Sequence, residues 1–131
     1  MKRILVIDDD IDIRACIRVI LEEAGFSVLE ADNGKTGIAT FRCNPVDLVI
    51  VDLFMPEKEG IETIIELRTG APELKILAIS GGIPGADPRD FLKIAQKLGA
   101  DSALDKPFTA QKLAAVVGQL LEPVSLFQGL S

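Results

Sequence analysis

Five short, mostly apolar runs alternate with five helix-like patterns, and this alternation restricts the fold more than any other feature of the sequence. The runs have the length of buried strands and lie at 4–7, 27–30, 48–51, 75–79 and 102–104. Strands that are apolar along their whole length are typical of parallel sheets covered on both faces. The pattern therefore predicts an α/β fold of the doubly wound type, with right-handed helical crossovers between the strands.

The segments between the runs have the spacing of amphipathic helices. In the first segment, the apolar positions recur every three or four residues: Ile13, Cys16, Ile17, Ile20 and Ala24. Gly25 follows this pattern and is a typical residue to end a helix. The other four helices are predicted near 33–43, 60–69, 88–98 and 110–121.

The length of 131 residues predicts one domain that buries roughly two thirds of its unfolded surface. We assign residues 1–121 to this domain and predict that residues 122–131 form a flexible tail. The chain begins MKR, and only four apolar residues follow before Asp8, fewer than a signal peptide needs. No later run approaches the ~20 apolar residues of a membrane span, so we expect a cytoplasmic protein without a membrane partner.

The charge and the residue types exclude several functions. A formal net charge of −6 argues against direct binding of nucleic acid or of an anionic membrane, and favours a cation as ligand. The chain has no histidine, so imidazole can supply neither a catalytic base nor a metal ligand. Cys16 and Cys43 stand alone in the sequence, and we expect reduced thiols buried in the core.

The stretch VIDDDIDIR places four acids directly after the first apolar run: Asp8, Asp9, Asp10 and Asp12. Like charges this close repel one another, so the cluster is costly unless a cation or solvent offsets the repulsion. Asp10 is a candidate cap for the helix that follows, and Asp12 is favoured by the dipole of its first turn. Asp8 and Asp9, which directly follow the apolar run, are candidates for a site.

Polar side chains follow four of the five predicted strands. Asp8 and Asp9 follow the first strand, Asp52 the third, Ser80 the fourth and Lys106 the fifth. Taken singly, each could be a helix cap, a turn residue or a solvated lysine. Ligands of open parallel sheets, however, bind beyond the carboxyl ends of the strands, where all of these residues fall.

Three carboxylates at one sheet edge suit a hard cation such as Mg²⁺, which prefers oxygen ligands. With a metal bound, one carboxylate could attack a phosphoryl group. The metal and a lysine would then balance the charge on the phosphoryl oxygens.

Other sites with clustered acids fit the sequence less well. Asp8, Asp10 and Asp12 match positions of a calcium-binding EF-hand loop, but Ile13 replaces its glycine and Val19 its last glutamate. A phosphatase of the haloacid dehalogenase type would use a DxD motif, but the chain has no room for the usual cap domain. A flavin mononucleotide site is disfavoured because four acids would repel the phosphate.

Four motifs occur in a fixed order: ILVIDD, DLVIVDLFMP followed by Gly60, LAISGG and DKPF. On these motifs, residues 2–121 resemble the receiver domain of the two-component response regulator family, in its single-domain type. The resemblance implies a flavodoxin-like, five-stranded parallel sheet in the order 2-1-3-4-5, with helices on both faces.

The resemblance also implies a Mg²⁺ site. Asp9 would be the principal ligand, assisted by Asp8, and Asp52 and the main-chain carbonyl of Phe54 would complete the set.

The same resemblance makes Asp52 the phosphoryl acceptor. Ser80 would contact the phosphoryl group through its hydroxyl, and Lys106 would pair with it. The bond between Lys106 and Pro107 is a candidate cis peptide, since the family commonly has one there.

Because the chain has no histidine, the implied phosphohistidine donor is another protein, either a sensor histidine kinase or a histidine phosphotransfer protein. The chain would catalyse only its own phosphorylation and dephosphorylation, and would act on an unknown downstream protein or pass the phosphoryl group on.

Two features depart from the family pattern. Ala103 stands where family members often carry an aromatic residue that moves on phosphorylation, and the loop at 81–88 is longer than usual. Ala103 leaves open an alternative function, a degenerate receiver that serves as a constitutive protein-docking module.

Overall fold

Strands and helices alternate along the whole described part of the chain. The computed structural model describes residues 1–53, 55, 59–81 and 87–122. The elements within these residues are β1 (Arg3–Ile7), α1 (Ile11–Glu23), β2 (Ser27–Ala31), α2 (Gly34–Cys43), β3 (Leu48–Asp52), α3 (Glu59–Gly70), β4 (Lys75–Ser80), α4 (Pro88–Leu98), β5 (Ser102–Asp105) and α5 (Ala110–Leu121). Each predicted strand and helix overlaps an observed one, so the predicted alternation is confirmed.

The five strands form one parallel sheet in the order β2-β1-β3-β4-β5, which confirms the predicted order. In the register, Ile7 of β1 pairs with Ala31 of β2 on one side and with Val51 of β3 on the other. The strand order reverses between β1 and β3, so the carboxyl ends of these two central strands form the switch point of the sheet.

Alternate residues of each strand pack against opposite helical layers. Leu5 and Ile7 belong to a core that contains Ile64 of α3 and Phe91 of α4. Ile4 and Val6 belong to the second core, with residues from α1 and α5 that include Ile17, Leu21, Leu113 and Val117. Helices therefore cover both faces of the sheet, as predicted, and all five residues of β3 are buried.

Asp10 caps α1, as the sequence predicts. Its carboxylate accepts hydrogen bonds from the backbone amides of Asp12 and Ile13, at 2.9 and 3.4 Å. Asp12 lies in the first turn, where a negative charge is favoured by the helix dipole. After the helix, Gly25 adopts a φ of 96°, a left-handed conformation that glycine adopts without the steric cost of a Cβ atom.

The prediction of buried cysteines is wrong. Cys16 and Cys43 are both free thiols, but both are exposed. On α1 the buried side chains are Ile17 and Leu21, and Cys16 lies about 100° around the helix from Ile17. The buried stripe is therefore narrower than the sequence pattern predicts, and Ala24 is also exposed.

The last helix ends at Leu121, and residues 123–131 lie outside the described residues. The flexible tail and the domain boundary therefore stay predictions. Across the described ranges, every helix is too short or too polar to cross a membrane.

Candidate functional site

Three acids meet at the carboxyl edge of the two central strands. Asp8 directly follows β1, and Asp52 is the last residue of β3. Asp8 is fully buried and Asp52 is 6% exposed, whereas Asp9 is exposed to solvent. Each of the three acids has a carboxylate oxygen within 4.8 Å of one from each of the other two. The structure therefore brings together the three acids that the sequence assigns to a metal site.

Lys106 reaches the same edge from β5, 54 residues beyond Asp52. Its ammonium donates hydrogen bonds to Asp8 Oδ2 at 3.0 Å and to Asp52 Oδ2 at 3.3 Å. Its backbone amide donates to the carbonyl of Ser80 at 2.7 Å, which connects the ends of β4 and β5. The peptide bond between Lys106 and Pro107 is cis, which confirms the candidate.

The charge state of Lys106 depends on two opposing effects. Burial is the largest and lowers the pKa of the ammonium, but the hydrogen bond to Asp8 and the negative charges of Asp52 and Asp8 together outweigh it. The pKa of Lys106 is therefore raised above its ordinary value of 10.5, and the side chain is positive at neutral pH. The Lys106 ammonium thus offsets part of the repulsion between the carboxylates of Asp8 and Asp52.

Each polar group of Asp8 has a hydrogen-bond partner. Its amide donates to the carbonyl of Ala31 at 3.1 Å, and Oδ1 accepts from the amide of Asp10 at 2.9 Å. Oδ2 accepts from Lys106, and the carbonyl accepts from Arg14 Nη1 at 2.6 Å. Asp8 is therefore held in one orientation at the base of the cluster.

The donor set fits a small, hard cation. Ligand oxygens lie about 2.1 Å from Mg²⁺, so two ligands on opposite sides of the ion are about 4.2 Å apart. The three carboxylate oxygens, mutually within 4.8 Å, can approach this spacing through small side-chain rotations or through a bridging water. Phe54, the fourth predicted ligand, lies outside the described residues.

Ser80 and Gly60 also lie at this edge. Ser80 is the last residue of β4, is fully buried and pairs in register with Asp105 of β5. Gly60, in the first turn of α3, packs so closely that a Cβ atom there would collide with the carbonyl oxygen of Asp52 and with the backbone of Leu53. The glycine therefore lets α3 approach the end of β3.

Ala103 lies on β5, which β4 separates from β3 and Asp52, and it pairs with Ala78 of β4. Its half-buried side chain lines a groove of about 350 Å³ between α4 and α5, together with Leu92 and Phe108. Of the long loop at 81–88, residues 82–86 lie outside the described residues.

Three charged residues beside Asp8 form a group that was not predicted from the sequence: Glu30, Arg14 and Arg18. Glu30 of β2 accepts hydrogen bonds from Arg14 Nε at 3.0 Å and from Arg18 Nε at 2.6 Å, both on α1. The bond from Arg18 is the main cause that lowers the pKa of Glu30; burial opposes it and Arg14 adds to it. Two signals could have found this group: an acid inside the second apolar run, and two arginines four residues apart.

Comparison with known proteins gives one consistent family. The sequence profile described as "Response regulator receiver domain" matches residues 4–118. The transcriptional regulatory protein CpxR of Klebsiella pneumoniae is 34% identical over 121 residues, which cover 92% of this chain and 50% of CpxR. This chain thus spans about half the length of that relative.

Two other relatives match over nearly their whole length. The response regulator receiver protein CpdR of Brucella abortus is 32% identical over 126 residues, which cover 92% of this chain and 98% of CpdR. The crystal structure of a response regulator receiver domain protein from Clostridium thermocellum is 32% identical. It superposes with a TM-score of 0.80, covering 92% of this chain and 94% of its own.

Proposed function

The chain belongs to the response regulator receiver family, and on that premise we propose that it is a Mg²⁺-dependent phosphoryl acceptor that becomes phosphorylated on Asp52. Receiver domains of this family are signalling domains of two-component systems. The observation that carries the proposal is the position of Asp52, beside Asp8 and Asp9 and within 3.3 Å of the Lys106 ammonium.

Asp52 is better suited to accept the group than its two neighbours. Asp8 is fully buried, and both of its carboxylate oxygens already accept hydrogen bonds. Asp9 is exposed to solvent, where water would compete with the donor. Asp52 is 6% exposed, at the open edge of the sheet, so a donor could approach it without crossing the core.

In the proposed reaction, a carboxylate oxygen of Asp52 attacks phosphorus and forms a new P–O bond. The P–N bond of a phosphohistidine, or the P–O bond of a small acyl phosphate, breaks and its electron pair stays with the donor. Hydrolysis later reverses the modification: water attacks phosphorus, the bond to Asp52 breaks and the free carboxylate returns.

The neighbouring side chains would stabilise the negative charge of the phosphoryl group during its transfer to Asp52. Asp8, Asp9 and Asp52 would hold Mg²⁺, with the carbonyl of Phe54 as a further ligand. A bound Mg²⁺ would neutralise charge on the phosphoryl oxygens. Lys106 would pair with one of these oxygens, and the Ser80 hydroxyl would donate a hydrogen bond to another.

The donor in the cell must carry the phosphohistidine itself, because this chain has no histidine. We propose a sensor histidine kinase or a histidine phosphotransfer protein as donor and a cytoplasmic location for the reaction. The output would be a changed contact with a target protein, or transfer of the phosphoryl group to another carrier.

Incubation with Mg²⁺ and an acyl phosphate tests the proposal by intact-protein mass spectrometry. The wild-type chain should gain one phosphoryl group, and chelation of Mg²⁺ should prevent the gain. Asp52→Asn should gain none, whereas Asp12→Asn, which changes an exposed acid in the first turn of α1, should react like the wild type. No gain in the wild type, or an equal gain in Asp52→Asn, would contradict the proposal.

A constitutive docking module is the second candidate, and Ala103 favours it because no aromatic side chain at this position can report phosphorylation. A folded wild-type chain that gains no phosphoryl group in the same experiment would support this alternative.

A further inference from the structure

We propose that Arg14 is a positioning residue for the acidic cluster. Its guanidinium, held by Glu30, fixes the peptide group between Asp8 and Asp9, and thereby the direction in which Asp9 presents its carboxylate. This inference rests on the proposed function, because it concerns the residues proposed to hold Mg²⁺.

The side chain of Arg14 is fixed at two points. Nη1 donates to the carbonyl of Asp8 at 2.6 Å, and Nε donates to Glu30 Oε1 at 3.0 Å. The guanidinium is planar, so these two hydrogen bonds determine its plane. The side chain is 13% exposed, so water competes little with either bond. Arg14 thus rigidly links the carboxylate of Glu30, on β2, to the main-chain carbonyl of Asp8.

Strand β2 anchors both peptide groups that flank Asp8. The amide of Asp8 donates directly to the carbonyl of Ala31, at 3.1 Å. The carbonyl of Asp8 is connected to the preceding residue of β2, Glu30, through Arg14. The link through Arg14 depends on the side chains of Arg14 and Glu30. A substitution of either residue can therefore remove it without changing the backbone of β2.

The carbonyl of Asp8 belongs to the same peptide plane as the amide of Asp9. Rotation of this plane would move the Cα and Cβ atoms of Asp9 relative to Asp52, whose position is fixed by β3. The amide of Asp10 and Lys106 hold the side chain of Asp8 but not this peptide plane. Arg14 therefore controls a degree of freedom that the site residues themselves do not.

Charge and position predict opposite effects when Arg14 is replaced. Loss of a positive charge near three carboxylates would by itself strengthen the binding of a divalent cation. Loss of the positioning contact would weaken it, because residues that orient metal ligands typically contribute 10–100-fold in affinity. The sign of the change therefore separates the two effects.

Arg18 is a matched control on the same helix. It also donates to Glu30, at 2.6 Å, but its other ion pair is with Glu22, at 3.6 Å. Arg18→Gln removes the same charge from the same carboxylate and leaves the contact between Arg14 and Asp8 in place.

The experiment measures Mn²⁺ binding by electron paramagnetic resonance, with Mg²⁺ as competitor, in the full chain. We expect Arg14→Gln to weaken binding by about tenfold and Arg18→Gln to leave it unchanged or slightly stronger. Arg14→Lys keeps the charge but not the two-point contact, so it should weaken binding as well. Equal affinities for Arg14→Gln and Arg18→Gln, or wild-type affinity in Arg14→Lys, would overturn the inference.

Two variants keep the result interpretable. If Arg14→Gln does not fold, Arg14→Lys decides, because it keeps the charge: weaker Mn²⁺ binding supports the inference and wild-type binding overturns it. Asp9→Asn tests the underlying proposal, because wild-type affinity in this variant would contradict the metal site itself. Loss of binding in Asp9→Asn, with full binding in Arg14→Gln, would contradict only the role of Arg14.

Discussion

The ammonium of Lys106 lies 3.0 Å from the carboxylate of Asp8, although 98 residues separate the two in sequence. The carboxylate is fully buried, and the lysine side chain is 17% exposed. A buried charge without a partner is strongly destabilising, so this contact lets the acid cluster exist without a metal ion. The same contact places a cation where a phosphoryl group would need one.

Lys106→Met should lower the free energy of unfolding by about 3 kcal/mol in the absence of Mg²⁺, because Asp8 and Asp52 lose their cation. Added Mg²⁺ should restore more stability to this variant than to the wild type, since a bound metal would replace the ammonium charge. Urea unfolding followed by far-UV circular dichroism measures both effects; the chain has no Trp or Tyr to report unfolding by fluorescence.

Lys112→Met is the control for this prediction, because Lys112 is exposed on α5. Its stability should stay within about 0.5 kcal/mol of the wild type. Equal stability of the two variants without Mg²⁺ would show that the contact between Lys106 and Asp8 contributes nothing.

Two glycine substitutions should change stability in opposite directions. Gly60→Ala should destabilise the fold by about 2 kcal/mol, because its Cβ would collide with the main chain of Asp52 and Leu53, which cannot move aside as a side chain could. In Gly118→Ala, in the interior of α5, the new Cβ meets no atom of the described residues within 4 Å apart from its chain neighbours and its own helix backbone, so the variant should be more stable by about 0.5–1 kcal/mol. Urea unfolding of both variants checks the signs, and a stable Gly60→Ala would mean that α3 can shift away from β3.

Most of the fold could be predicted from the sequence because the strands carry a strong local signal. β3 is buried along its whole length, so its sequence, LVIVD, is apolar up to the acid. The site could be predicted for a related reason. Asp8, Asp52, Ser80 and Lys106 interrupt this apolar pattern at the strand ends, and parallel topology brings these ends to one edge.

The remaining features depend on contacts that leave no spacing pattern. Cys16 and Cys43 are exposed because the width of a buried helical stripe is set by neighbouring elements, which the local sequence does not reveal. The spacing of Arg14 and Arg18 and the acid Glu30 inside an apolar run indicate charged contacts here, but they do not reveal that Arg14 also reaches the main-chain carbonyl of Asp8.

Arg68 is a second arginine whose role the sequence does not reveal. It lies near the amino ends of β4 and β5, whereas the acids lie at the carboxyl ends of the strands. Its guanidinium donates to the carbonyls of Pro72, Leu74 and Gly99 and to the carboxylate of Asp101, each at 2.7–2.8 Å. Arg68→Ala should lower the free energy of unfolding by about 3 kcal/mol, because these partly buried acceptors lose a shared donor. Folded protein should still accept a phosphoryl group, since the site lies at the carboxyl ends of the strands.

Arg42→Ala is the matched control for Arg68→Ala. Arg42 pairs with Glu66 at 3.5 Å, and both side chains are more than half exposed. An exposed pair of this kind contributes about 0–1 kcal/mol, so the variant should unfold almost like the wild type. A loss of stability in Arg42→Ala as large as in Arg68→Ala would contradict the assigned role of Arg68.

Glu30 should make stability depend on pH in the acidic range. The hydrogen bond from Arg18 lowers the pKa of Glu30 below 4.5 in the folded chain, and the unfolded chain has no such contact. A lowered pKa contributes stability above the unfolded value and loses it as the pH falls through the folded value. The free energies of urea unfolding of wild type and Glu30→Gln should therefore differ near neutral pH, and the difference should shrink below pH 4.5.

Glu66→Gln is the control, because it breaks an exposed ion pair, and its free energy of unfolding should differ little from that of the wild type at any pH. A difference for Glu30→Gln that stays constant into strong acid would show that its carboxylate charge does not stabilise the fold.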